Sequence, residues 1–214
     1  MKRYLFLLLA LAPLACAPAV PIGATAPGPP VVGGKTSPDG KVEIALDLPD
    51  SLRKRNASGR DGLGLCVFTS VEYAAHWQNV RALEDLQAHM KQEPGGGWPE
   101  KVDAVLARHA PGVRYVQHTG GDAEFLRAAT KTGRMAAITY GGSAPHYGDR
   151  LIYHMVVLVC YDEASGWACV CDNNFPNEFV WMSCPELLRR WRMTRGGGWA
   201  IVLLSPSPSP VPRR

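Results

Sequence analysis

The stretch Leu151-Ile-Tyr-His-Met-Val-Val-Leu-Val-Cys-Tyr161 is apolar almost throughout and carries one imidazole, His154. Its β-branched and aromatic content reads as a strand. An imidazole inside such a strand costs free energy unless its ring nitrogens are hydrogen-bonded. Turn residues follow at 162–166, and a second run, Trp167-Ala-Cys-Val-Cys-Asp172, comes back. The hairpin these runs form brings Asp172, Asn173 and Asn174 past His154. A carboxylate or amide there can hold the imidazole in one tautomer and orientation.

The rest of the second half reads the same way. Met135 to Tyr140, Glu178 to Met182 and Trp199 to Leu204 have strand character, and Val113 to Gln117 is a shorter strand. Ser183 and Glu186 have capping-box spacing for a helix through Trp191. Asp122 caps a helix that Gly133 ends. The first half is helical. The pattern from Cys66 to Asn79 is one helix, Ala82 to Lys91 a second, and Pro99 starts a third with Val102, Val105 and Leu106 inward. Ahead of them, Val42, Ile44, Leu46 and Leu48 alternate with mostly polar residues, as in a half-buried strand. Helices first and a mainly antiparallel sheet after them make an α+β domain.

The ends lie outside that domain. Lys2 and Arg3 precede an apolar run from Tyr4 to Ala12, too short to span a bilayer and suited to a signal-peptide core. Residues 1–19 are therefore expected to be an export signal. Pro13-Leu14-Ala15-Cys16 is similar to a bacterial lipobox, which would acylate Cys16, and cleavage after Ala17-Pro18-Ala19 is the alternative. Residues 20–40 are Pro- and Gly-rich and read as a linker. Residues 205–214, SPSPSPVPRR, read as an extended tail. The folded domain is expected at 41–204. The formal charge is only +4, and no long basic run exists, so nucleic acid is not an expected partner.

The candidate nucleophile is Cys66. It follows Gly62-Leu-Gly64-Leu65 and opens a helical pattern. A helix N-terminus and a neighbouring imidazolium both lower a thiol pKa, and the thiolate is the reactive form. Glycines ahead of it allow close approach of a substrate backbone, and the Cys66 N–H would face a developing oxyanion. Cysteine count adds to this. Beyond Cys16 there are five: Cys66, Cys160, Cys169, Cys171 and Cys184. An odd number in an exported chain suggests a free thiol. The other four could pair as two disulfides or pack as buried thiols.

In these residues the chain resembles the papain-like cysteine peptidases, and looks closest to the compact C39-like branch that includes bacteriocin-processing peptidase domains. Gly64-Leu-Cys66-Val-Phe-Thr-Ser70 is similar to the nucleophile segment, with Gly two before the Cys and Ser four after it. His154 with Tyr161 seven residues on is similar to the family's His strand, and Gly166-Trp167 leading to Asp172 resembles its return strand. The resemblance implies a papain-like α+β fold and a catalytic set of Cys66, His154 and Asp172, with Asn173 as the other reading of the third member. Where the family carries Gln six residues before the Cys, this chain has Arg60. Arg60, or Asn56 across a longer loop, is the candidate oxyanion donor in its place; the alternative is a hole built on backbone N–H groups alone.

The expected activity is hydrolysis of peptide or related amide bonds through an acyl-enzyme. The alternatives are a catalytically inactive papain-like binding module and a Cys–His amidase or acyltransferase of the cell envelope. His146 and Tyr147, in the loop before the His154 strand, are expected to line the substrate cleft, with specificity set by loops 92–99 and 141–150. No cofactor or metal is expected: Cys169-x-Cys171 puts two thiols on one strand face, and no Cys-x-x-Cys pair occurs. The expected partner is a peptide or protein substrate. The expected location is the cell envelope or outside the cell, with membrane contact only through a lipid on Cys16.

Overall fold

A computed structural model describes residues 28–143, 145–194 and 196–205. The expected signal segment, with Cys16, and most of the expected tail lie outside them. The centre is a seven-stranded antiparallel sheet in the order β1-β6-β5-β4-β3-β7-β2. Its strands are β1 (Val31–Gly33), β2 (Tyr115–Thr119), β3 (Ala136–Gly142), β4 (Ile152–Asp162), β5 (Trp167–Cys171), β6 (Phe179–Ser183) and β7 (Trp199–Leu203). The helices are α1 (Cys66–Gln78), α2 (Leu86–Met90), α3 (Pro99–His109), α4 (Ala123–Lys131) and α5 (Cys184–Arg192).

Both faces of the sheet are covered, and the strands show it by period-two alternation. On one face, Met155, Val157 and Val159 of β4 join Cys169 and Cys171 of β5 and Ile201 and Leu203 of β7, beneath α1, α2 and α3. On the other, Val156 and Leu158 join Val170, Ala200 and Val202 beneath α4 and α5. This makes β4 a central strand, which is why its sequence is apolar on both parities. Cys160, Cys169, Cys171 and Cys184 are buried free thiols, with burial as the first cause pushing each of them up. The disulfide alternative is not realised among the described residues.

Local signals account for the helix boundaries. The Asp122 carboxylate accepts the Glu124 N–H at 2.9 Å, and the Ser183 hydroxyl accepts that of Glu186 at 3.1 Å. Asn79 ends α1 in the left-handed region at φ 56°, where Asn is tolerated better than most side chains. The expected second helix is instead a 3-10 turn at Arg81–Leu83 followed by the short α2.

Two expectations are corrected. Residues 28–40 are not a linker: Val31–Gly33 pairs with Trp181–Phe179 of β6, and the Trp181 indole donates to the Gly34 carbonyl at 2.9 Å. A pair of β-branched valines is enough to extend a sheet edge inside an otherwise Pro- and Gly-rich stretch. The stretch from Val42 to Leu48 is not a strand. It buries Ile44, Leu46 and Leu48 against the core, but its pairing is limited to an isolated bridge from Glu43 to Thr36 and a bond from the Leu46 N–H to the Val159 carbonyl, while Val42 and Leu48 bond to the Ser37 and Arg53 side chains. Alternation reports which side chains are buried, and an extended segment lying over a sheet alternates as a paired strand does.

Candidate active site

Cys66 is the first residue of α1, so its N–H has no intrahelical acceptor. The turn that delivers it is tightly built. Gly62 takes φ 79°, and the Asp61 carboxylate accepts the Leu63 N–H at 3.1 Å and the Gly95 N–H at 2.6 Å. The Gly96 N–H adds a bond to the Gly64 carbonyl at 2.8 Å. The second loop comes so close that a Cβ on Gly95 would lie 2.0 Å from the Leu63 carbonyl oxygen. The run Gly95-Gly96-Gly97 is therefore a brace for the turn ahead of Cys66 as well as a helix breaker.

His154 lies three residues into β4, paired with Tyr140 of β3. Asp172 is the first residue past β5. Its carboxylate meets the His154 Nε2 at 2.9 Å, with 7% of the His side chain and 5% of the Asp side chain exposed. The same oxygen, Oδ1, accepts the Asn174 N–H at 2.8 Å, and the other accepts the Tyr147 hydroxyl. The second ring nitrogen is left for the Cys66 thiol. Burial pushes that thiol up, but the hydrogen bond and charge of His154, with the N–H groups of Met155 and Val67, hold it below the ordinary thiol range. Burial likewise opposes the imidazolium, and Asp172 and Cys66 more than reverse this, so the His154 pKa is raised. Asp172, pushed up by burial, is pulled below its usual range first by His154 and then by Tyr147. The arrangement favours a thiolate–imidazolium pair backed by a carboxylate.

Asn173 does not orient the imidazole. Its amide nitrogen sits 3.1 Å from the Cys66 carbonyl, 2.9 Å from the Ser70 hydroxyl and 3.1 Å from the Met155 carbonyl. It ties the start of α1 to β4. Register explains the exchange of roles: Cys171, the last residue of β5, pairs with Val157, so the residues after it run on beside β4, where Asn173 meets Met155 and Asp172 reaches diagonally to His154.

A cleft of about 1050 Å³ opens beside the pair. Its walls include Cys66, Gly97, Trp98, Tyr153, His154, Thr194 and Trp199. Trp98 is 52% and Tyr153 67% exposed, so the cleft has an aromatic rim. Of the two loops expected to set specificity, 92–99 contributes residues from Gly96 on. The other, 141–150, contributes none of its described residues, and its place is taken by Met193, Thr194, Gly196 and Trp199. No local motif in the sequence marks that segment, because it reaches the cleft through the pairing of β7 with β3.

Four expected site residues lie elsewhere. Arg60 is solvent-exposed, with its N–H on the Glu93 carbonyl, because the Gly59–Leu63 turn lifts it away from Cys66. Asn56 packs against Gly64 and donates to the Asn174 side-chain oxygen at 3.0 Å, leaving its own Oδ1 buried without a partner. His146 stacks on Phe175 at 4.0 Å between ring centroids and meets Glu178 at 3.0 Å. Tyr147 turns toward Asp172. His146, Tyr147 and Asn174 line a separate, smaller pocket with Arg55 and Arg150. His146 and Tyr147 thus pack behind the Asp172 side of the site and away from the cleft, since Phe175 and Glu178 hold the imidazole there. Among the described residues no cluster of His, Cys, Asp and Glu could hold a metal ion.

No family model matches the chain, and no curated protein matches it.

Proposed function

We propose that this chain is a papain-like thiol hydrolase of peptide or related amide bonds. The observation that carries the reading is a helix-opening thiol beside a buried imidazole whose far nitrogen is held by a carboxylate. The Cys66 thiolate attacks the substrate carbonyl carbon and forms the C–S bond. Negative charge moves to the carbonyl oxygen, where the Cys66 N–H can receive it. The His154 imidazolium gives its proton to the leaving nitrogen as the C–N bond breaks. Water then attacks the thioester, His154 takes its proton, and the C–S bond breaks to return thiolate and acid. The aromatic rim of the cleft suits apolar side chains of an extended peptide. The α+β architecture, with the nucleophile on a helix packed on an antiparallel sheet, is consistent with a papain-like fold.

Export with acylation at Cys16 or cleavage after Ala19 belongs to the same proposal. No helix among the described residues is long and apolar enough to cross a membrane.

The direct assay offers a mixed peptide digest and reads new amino termini by mass spectrometry. The wild-type protein should generate them, and prior treatment with iodoacetamide should stop it. The pH profile should be broad. Cys66 is depressed, so its thiolate persists as pH falls below the ordinary thiol range, and His154 is raised, so its proton is kept above neutrality. The alkaline limb should therefore lie above pH 8, well past the ordinary imidazole value of about 6.5. A limb near 6.5 would contradict the assignment of His154 as an acid held charged by Asp172.

One observation favours a second reading. With Arg60 outside the cleft and Asn56 committed to Asn174, no expected side-chain donor faces the oxyanion position. A binding module that retains the pair without turnover would label at Cys66 but release no new termini.

A further inference from the structure

The tyrosine expected to touch substrate has a different position. Tyr147 donates its hydroxyl to Asp172 Oδ2, the oxygen that His154 does not use. The hydroxyl in turn accepts from the Asn174 amide at 3.0 Å, and the Asn174 oxygen accepts from the Asn56 amide at 3.0 Å. The bonds run without a break from Asn56, which lies against Gly64, through Asn174, Tyr147 and Asp172 to His154. From this geometry we propose that Tyr147 is a positioning residue: it caps the free oxygen of Asp172 and fixes the carboxylate for the imidazolium. The inference rests on the reading of Cys66 and His154 as a reactive pair.

A carboxylate with one free oxygen, almost wholly buried, has two ways to relax. It can rotate, which lengthens its bond to His154, or take up a proton, which removes the charge that keeps His154 an imidazolium. A phenol at Oδ2 opposes both. Tyr147 is suited to this because burial, then the Asp172 charge, push its own pKa far above the physiological range, so it remains a donor. Other groups that feel the Asp172 charge are Tyr73 on α1, Tyr140 on β3 and Cys171 on β5, with Arg53 beside Cys171 and Arg190 beside Tyr140, while His146 with its partner Glu178, Arg55 and Arg150 lie on the Tyr147 side of the site. Burial raises Tyr140 and Cys171 each to about 12 and Tyr73 further, so none of the three changes charge between pH 4 and 9. In that range His154 and Cys66 respond to Asp172 and to none of these three.

The sign follows from the Asp172 pKa, which Tyr147 lowers. Without the hydroxyl, Asp172 takes up a proton at higher pH; the imidazolium, no longer facing a carboxylate, passes its own proton to the Cys66 thiolate, and the pair becomes neutral earlier on acidification. The test is Tyr147→Phe in the full chain, read by the pH dependence of iodoacetamide labelling at Cys66 and by peptide hydrolysis. The acid limb of labelling should move up by about one pH unit. Plateau kcat should fall about tenfold with KM unchanged, since Tyr147 does not line the cleft. Asn174→Ala, which leaves the phenol but removes its donor, should move the limb the same way by less. A merely structural role would lower the folded fraction and scale the amplitude without moving the limb. An unmoved limb in Tyr147→Phe, beside a wild type that labels in acid, overturns the inference and leaves the Cys66–His154 reading standing. A wild type that does not label in acid overturns that reading, and this inference with it.

Discussion

Replacing His154 with alanine should lower kcat/KM by on the order of 10³-fold, within the 10²–10⁴ that a positioned general acid–base supplies. Two losses combine. Burial alone raises the Cys66 thiol, and His154 is the first cause that brings it down; without the ring the nucleophile is a neutral thiol at pH 7. The leaving nitrogen also loses its proton donor. Cys66→Ala should remove turnover altogether, and the double variant should be no worse than Cys66→Ala, because the two residues act as a unit. Neither change should unfold the protein. Cys66 borders the open cleft, and in His154→Ala the Asp172 carboxylate retains its bonds from Tyr147 and the Asn174 N–H. Activity retained in Cys66→Ala would remove the thiol mechanism. Equal activity in His154→Ala and wild type would leave the thiol without a base.

Asn173→Ala should act on stability first. Its amide has two hydrogens and three acceptors within 3.1 Å, contributed by Cys66, Ser70 and Met155. The Asn173 side chain is buried, so alanine leaves acceptors unpaired where no water replaces the donor. A buried unsatisfied group costs about 1–3 kcal/mol. With more than one acceptor affected, a loss of about 3 kcal/mol is expected by denaturant unfolding. The Ser70 hydroxyl keeps its bond to the Met155 carbonyl at 3.1 Å, which limits the damage. Folded Asn173→Ala should keep most of its kcat, in contrast with Asp172→Ala. A variant of unchanged stability and hundredfold lower kcat would mean that Asn173, and not Asp172, orients the imidazole.

The periodicities and caps made most of the fold legible. Asp122 and Ser183 fix the starts of α4 and α5, and Cys66 opens α1 where the glycines stop. The two-sided apolar run around His154 is the central strand. What misled was extended backbone. Ile44, Leu46 and Leu48 alternate like a strand because they meet the core, yet most of their backbone bonds go elsewhere than a ladder. Val31 and Val32 do pair, although their surroundings read as linker. Cys66, His154 and Asp172 were legible because each has a local signal. Spacing back from Cys66 does not place Arg60 or Asn56 at the cleft, because the path of the loop between them is set by Asp61 and the Gly95 brace. The position of Tyr147 before the His154 strand suggests the cleft, but which side of the hairpin it lies on depends on His146 stacking on Phe175, a contact between segments that no spacing rule connects. Trp199 and Thr194 reach the cleft by sheet register and carry no motif at all.

The most direct test of the central claim is the rate of Cys66 alkylation by iodoacetamide in the wild-type protein from pH 4 to 10, with the label assigned to the Cys66 peptide by mass. Burial raises the four other described thiols, which keeps them silent over much of this range. A thiolate–imidazolium pair predicts fast labelling already below pH 7, falling as the pH drops through the depressed Cys66 value. A single rise near the free-thiol value of about 8.5, with slow labelling below it, would mean that His154 and Asp172 do not activate Cys66.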